Sequence, residues 1–446
     1  MNWAQVTNRQ VILFTGLGAW SALIWLVLKH SVNVPHWDEW AYVAPMFHRY
    51  FSDGFSAELI FTQSGEHNIA IPKLLIFLIG ILTSSNYSAF HLTNVLILGL
   101  SFWLIAKSSV DVNQVATKES VLVILLLALL MFNLGIPGVY LWGLSAYLFV
   151  TQFLIILILQ TVTSATRPKS RLFLPLLILL ATHSSITGYL MIPISLILLF
   201  AAYKIRGKGI DYLEMLSVAG AGLISIASYY LYKSHSGYPN GVTLHPTDLW
   251  KVLDYAAVYL GTSFASGDLN LARNMGILFS ILSISPIYRF TRNWSPTSPF
   301  SMRQILFVSL IAISIGSALL TAIGRSGQFP ISQATDDRYA IYSNLGWIGL
   351  TGYWLANLRH RRSVTQLVIS LTVSTLTLLY IKTVQLHFPK FETLLVTRTA
   401  AKNALVHMEN LDELKHIGPE GSEYILKNYR PLLSTHSLGP FRDVRE

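Results

Sequence analysis

The sequence predicts an all-α, polytopic integral membrane protein, and three observations carry that prediction. Only 12% of its 446 residues are charged while 52% are hydrophobic, against roughly a quarter charged in an ordinary soluble domain. Mean hydropathy is +0.50. Apolar runs recur along the chain, among them Val11 to Leu28, Val121 to Leu130, Leu172 to Ala181, Ile305 to Leu320 and Leu367 to Ile381. Several approach the roughly 20 residues that cross about 30 Å of hydrocarbon, and such runs amount to roughly eleven or twelve transmembrane helices. With no cysteine in the chain, disulfides, thiolate catalysis and cysteine-held metals are excluded.

The first helix follows Arg9 and ends at Leu26-Val27-Leu28-Lys29-His30 without a small-residue cleavage site, so it reads as a retained helix and not a signal peptide. A net charge of +10 would suggest nucleic acid in a soluble chain. Here the basic residues cluster in short loops: Arg167, Lys169 and Arg171; Lys204, Arg206 and Lys208; Arg289, Arg292 and Arg303; and Arg359, His360, Arg361 and Arg362. The positive-inside bias places all four clusters in the cytoplasm and explains the charge without nucleic acid. Loops 30–68, 233–273 and 324–338 then lie outside. Counting back from Arg167 gives one crossing too many in the first third. Parity is restored if 69–83, interrupted by Pro72-Lys73, enters without crossing, or if the chain breaks near Gly135 to Gly143.

Residues 1–385 therefore form the transmembrane domain. Loop 30–68 carries Trp37, Trp40, Tyr42, Phe47, Tyr50, Phe51 and Phe55 among polar residues, as expected of helices lying in the headgroup region. Loop 233–273 has the turn-rich Ser236-Gly237-Tyr238-Pro239-Asn240-Gly241, then an amphipathic stretch from Leu249 to Phe264, also interfacial. Together the two loops are placed to roof a cavity. From His387 the composition changes, with Lys390, Glu392, Arg398, Lys402, Glu409, Asp412, Glu413 and Lys415, so 386–446 reads as a small external tail of short helices. It is too small to build a strong core alone and is expected to pack on the membrane domain.

The polar residues crowd the outer boundary. Asp38 and Glu39, in Pro35-His36-Trp37-Asp38-Glu39-Trp40, are adjacent carboxylates beside an interfacial aromatic pair. Two readings stand: Asp38 caps a helix beginning at Glu39, or one carboxylate is a general base or holds a divalent cation such as magnesium or manganese, with Asp38 the better placed. Gln63-Ser64-Gly65-Glu66-His67-Asn68 precedes apolar Ile69-Ala70-Ile71, and Glu66, His67 and Asn68 are candidate hydrogen-bonding residues or simply solvated. Arg325 and Arg338, in a loop running from Gly324 to Tyr339, oppose the positive-inside bias. Arginine's planar fork suits a lipid phosphate. The plainer alternative pairs Arg338 with Asp336 or Asp337, or lets it snorkel. His183 with Ser184 and Ser185 reads as satisfying a helix end, and Tyr140, Trp142 and Tyr147 as ordinary aromatic belt.

The order of these motifs carries a resemblance. An acidic pair in the first external loop of a polytopic chain with a small external tail resembles the GT-C class of membrane glycosyltransferases. More narrowly, Val34-Pro35-His36-Trp37-Asp38-Glu39-Trp40, Glu66-His67-Asn68-Ile69 with Pro72-Lys73, Asp337-Arg338-Tyr339 before Tyr342-Ser343, and Tyr429-Arg430-Pro431-Leu432-Leu433 to Leu438-Gly439-Pro440-Phe441 look like a group of bacterial multi-pass proteins associated with surface-polysaccharide synthesis. Gly65 stands where that group's second motif has asparagine. The resemblance implies a GT-C-like fold in the bacterial inner membrane. It implies a polyprenyl-phosphate sugar as donor and a glycan or lipid-linked acceptor on the external face. It also implies Asp38 as base, Glu39 as its understudy, and Arg325 and Arg338 on the donor phosphate, with Glu66, His67, Asn68 and Tyr339 as further binding residues. Single displacement would invert the anomeric carbon. The alternatives are a flippase for a lipid-linked glycan, a polysaccharide polymerase or ligase, and an inert assembly partner.

Overall fold

In a computed structural model the protein is described over residues 6–61, 68–163, 173–235, 249–265, 267–294, 301–356, 363–418 and 422–442. It is helical throughout these residues, apart from one isolated bridge between Thr7 and Val115. Helix α1 (Asn8–His30) starts with a reciprocal cap between Thr7 and Gln10, which satisfies two backbone donors that the first turn would otherwise leave unpaired. After it come α2 (Asp38–Asp53), α3 (Ala57–Phe61), α4 (Ala70–Thr83), α5 (Tyr87–Ser109), α6 (Lys118–Met131), α7 (Pro137–Tyr140) and α8 (Ala146–Thr163). The second half comprises α9 (Leu174–Thr182), α10 (Met191–Ile205), α11 (Tyr212–His235), α12 (Leu249–Gly261), α13 (Leu269–Arg292), α14 (Met302–Arg325), α15 (Asp337–Ala356) and α16 (Ser363–His407), then the short α17 (Ser422–Asn428) and α18 (Arg430–Thr435).

Among the described residues, seven helices are long and apolar enough to cross a membrane, and Ala70–Thr83 and Ser120–Met131 are shorter apolar helices. This is fewer than the eleven or twelve expected from hydropathy. Part of the reason is length, since α9 has 9 residues and α4 has 14, or roughly 21 Å of the latter. Part is polarity tolerated inside the bundle. On the buried α15, Ser343 accepts from Ser263 at 2.8 Å and Asn344 from Asn133 at 3.5 Å, so a polar helix there leaves no donor facing lipid.

The contacts sort the helix ends into two sets. At one end Asn8 donates to the Asp111 carbonyl and Ser120 to Asn8. Gln160 reaches Ser108, Arg206 donates to the Thr163 carbonyl, and Phe200 meets Trp294. This end holds the basic Lys204–Lys208 and Arg289–Arg303 clusters; 167–171 and 359–362 lie outside the described residues. At the opposite end lie the 31–37 loop, the start of α5, the break between α6 and α8, the start of α15 and the tail. Both ends of α4 belong to this second set: Ile71 donates to the His183 carbonyl, and Gly439 donates to Ser84 just past its C-terminus. Helix α4 therefore lies at one end of the bundle beside α2, with Phe77 stacked on Phe47.

Tight backbone approach fixes the α12–α13 pair. A Cβ on Gly276 would lie 1.7 Å from the Ala257 carbonyl oxygen, and one on Gly261 1.9 Å from that of Ala272. Such small-residue seams let helices pack without a hydrophobic driving force. Helix α16 runs unbroken for 45 residues, roughly 68 Å, so the composition change at His387 falls within one helix. Its last turns join a second core. Val32, Val34, Trp40 and Ala44 of the first loop and α2 pack there against Ala401, Ala404, Leu405, Leu414, Ile417, Ile425, Tyr429, Leu433, Leu438 and Phe441.

Candidate functional site

Asp38 is the first residue of α2. The residue before it, Trp37, takes φ 50° and ψ −120° without a side-chain capping bond, a conformation costly for any residue with a Cβ. Its N–H donates to the Ile417 carbonyl at 2.6 Å, so the tail holds the turn that presents Asp38. Asp38 itself does not cap the helix. Glu39 instead ties neighbouring backbone together: its Oε2 accepts the His36 N–H at 2.6 Å and its Oε1 the Leu144 N–H at 3.0 Å. Gly143 makes this reach feasible, because a Cβ there would sit 2.8 Å from Glu39 Oε1. Glu39 is fully buried. Burial pushes its carboxyl up to about 7, against the pull of the His36 N–H, the Arg398 charge and the Leu144 and Gly143 N–H groups.

Asp38 stays half-buried. Burial raises its carboxyl above the ordinary carboxylate value, opposed by the charges of Arg338 and Arg325. Two arginines 287 and 300 positions along the chain thus share one electrostatic site with Asp38. Arg338 also forms the plainer pair weighed for it, Nη2 to Asp336 Oδ2 at 2.9 Å, and lies over the Tyr339 ring at 5.2 Å. Its Nε is buried with no hydrogen-bond partner. Arg325 lies over Phe329. Tyr339 is buried against Tyr259, ring centroids 5.0 Å apart. Asp337 is half-buried, accepts the Gly138 N–H at 3.2 Å, and lies in the field of Lys390 and His387 on α16.

The other candidates are dispersed. Asn68 is buried, its Oδ1 accepting weakly from Ala70 at 3.4 Å and its Nδ2 without a partner. It belongs to the α4 start beside the His183 turn, and Glu66 and His67 lie outside the described residues. His183 satisfies local groups, bonding the Leu179 carbonyl and Ser228. Tyr140 and Tyr147 are not a surface belt: both are buried, because the α6–α8 break folds inward instead of skirting the bundle. Tyr147 stands in the field of Arg338 and Arg325, a neighbourhood its reading as an aromatic-belt residue did not anticipate.

Next to Arg325, whose guanidinium lies over Phe329, opens a groove of about 710 Å³ lined by Phe329, Trp250, Leu253 and Ile277, with Lys251, Asp254 and Ser326 among its polar residues. For a divalent cation, Asp38 offers the cluster's free carboxylate between two guanidinium groups. Among the described residues no group of three or more His, Asp or Glu converges. These residues do not form a cation cage by themselves, since such an ion needs six or more oxygens. Compared with known proteins, the chain matches no family model and has no significant relative among curated proteins.

Proposed function

We propose that the protein is a membrane glycosyltransferase of GT-C type that moves a sugar from a polyprenyl-phosphate donor to a glycan or lipid-linked acceptor on the external face of a bacterial inner membrane. One observation carries this reading: a half-buried Asp38 lies in the field of Arg338 and Arg325, and Phe329, the ring under Arg325, lines a largely apolar groove. A carboxylate lifted toward neutrality is suited to take a proton from a hydroxyl. Two arginines are suited to hold a phosphate, and an apolar groove suits its lipid chain. Asp38 accepts the acceptor hydroxyl proton as that oxygen bonds to the anomeric carbon. The bond from that carbon to the donor phosphate breaks, the departing phosphate keeps the electron pair, and Arg325 and Arg338 stabilise its charge. A single displacement inverts the anomeric carbon.

The test is the surface-glycan profile of a deletion strain complemented with wild type, Asp38→Asn or Arg338→Ala, each at equal membrane level. Loss of one sugar with both variants is the expected result. Full restoration by Asp38→Asn would overturn the assignment.

A further inference from the structure

Behind Asp38, on the far side of Glu39, lies a second polar knot that sugar transfer as written does not use. Arg398, on the last third of α16, is 1% exposed. Its Nη1 donates to the Leu141 carbonyl, while Nε and Nη2 are buried without a hydrogen-bond partner. These two nitrogens form the side-on edge of the guanidinium, the fork that receives two oxygens of one anion. His91 on α5 is fully buried; its Nδ1 meets Ser31 Oγ at 2.6 Å and its Nε2 has no partner. Nor does His36 Nδ1. Arg398 and Glu39 both bond the 141–144 segment, Glu39 also holds the His36 N–H, and Ser31 of the same loop meets His91, so the three groups lie around one region, where the Arg398 charge acts on both imidazoles.

Glu39 does not fill this fork. Its oxygens are taken by the His36 and Leu144 N–H groups, and it reaches Arg398 only through its field. Buried nitrogens are ordinarily hydrogen-bonded to protein or ordered water, and four from three separate elements lie here without a protein partner, a donor set suited to a group that supplies several oxygens. A carboxylate would satisfy the fork alone; a tetrahedral group with three or four oxygens can also receive the imidazoles.

We propose that Arg398, His91 and His36 form a phosphate-binding site, separate from the Asp38–Arg325–Arg338 cluster, that takes the phosphate of a lipid headgroup or a free phosphate ion. The site does not depend on the protein being a transferase. Phosphate oxygens accept from Arg398 Nε and Nη2, with His91 Nε2 and His36 Nδ1 donating from the sides. Because its walls are the 31–37 loop, α5 and α16, an occupied site ties the Asp38 turn to the tail.

The test uses the full-length purified protein in a phosphate-free detergent. Total phosphorus is assayed first, and unfolding temperature is then followed against inorganic phosphate and, separately, decyl phosphate. Wild type, Arg398→Lys and His91→Gln are compared. The expected result is either about one phosphorus retained per chain or a saturable rise in unfolding temperature, lost or roughly tenfold weaker in both variants. A response to decyl phosphate alone identifies a lipid headgroup as the source, and a response to inorganic phosphate identifies a free ion. Should Arg398→Lys fail to fold, His91→Gln decides. No retained phosphorus and no response in wild type would overturn the proposal, as would an equal response in the variants.

Discussion

At the first turn of α2, Asp38 keeps a half-buried carboxyl facing two arginines, whereas Glu39 is sealed and bonded to backbone. Their substitutions should therefore fail differently. Asp38→Asn is expected to remove transfer while leaving the unfolding temperature within about 2 °C of wild type, measured on purified protein. As the proposed base Asp38 must be ionised, and its carboxyl is raised, so activity should fall as pH drops through a midpoint above the ordinary carboxylate value. Arg338→Ala removes a charge that holds that midpoint down. The acid limb should move to higher pH and the rate should drop roughly a hundredfold; an unmoved limb would separate Arg338 from Asp38. For Glu39 the sign concerns stability. Its folded-state value, about 7, exceeds the ordinary 4.5, so its contribution is fully present below pH 4.5 and is lost as pH rises through 7, by roughly 3 kcal/mol. The stability difference between wild type and Glu39→Gln should shrink across that window. Asp38, Arg325 and Arg338 were legible because charged residues in an outer loop stand out against apolar sequence. Arg398 and His91 were not: one sits in a charged helix, the other in an apolar one, and only the fold brings them together.

Element existence was read more easily than element placement. The apolar runs singled out in the sequence fall in α1, α6, α9, α14 and α16, but hydropathy overcounts spans because it cannot tell a crossing helix from one lying at an end of the bundle. The parity count put the difficulty in the first third, and there both ends of α4 bond to segments at the same end of the bundle while the chain also breaks between Met131 and Ala146. Amphipathic patterning of 249–264 marked α12 as peripheral, yet gave no hint that Gly261 and Gly276 seat its backbone directly on α13. That seam is testable. Gly276→Ala puts a methyl group within 1.7 Å of a carbonyl oxygen, so the helices must separate. A loss of about 1–3 kcal/mol follows, read as a lower unfolding temperature. Gly324→Ala, with open space around its Cβ position, should change stability little.

Across the whole molecule the first loop and the tail, more than 350 residues apart in sequence, share one core. The composition change at His387 suggested a tail that packs on the membrane domain; that it would hold the turn presenting Asp38 has no sequence signal, because the joining bond is a backbone pair, Trp37 N–H to the Ile417 carbonyl. A positive φ at Trp37 persists only where surrounding contacts over-determine it. Trp40, 2% exposed and 5.9 Å from the Tyr429 ring, is the largest of those contacts. Tyr429→Ala should cost about 3–4 kcal/mol of tail packing, enough to let 408–442 detach while the bundle remains folded. Limited proteolysis would then cut between α16 and α17 and spare the bundle helices. Activity should fall with the cutting, although Tyr429 lies far along the chain from Asp38. Faster proteolysis with undiminished activity would show that the turn holds its shape unaided, and the strain at Trp37 would then have to be borne by the 31–37 loop and Glu39 alone.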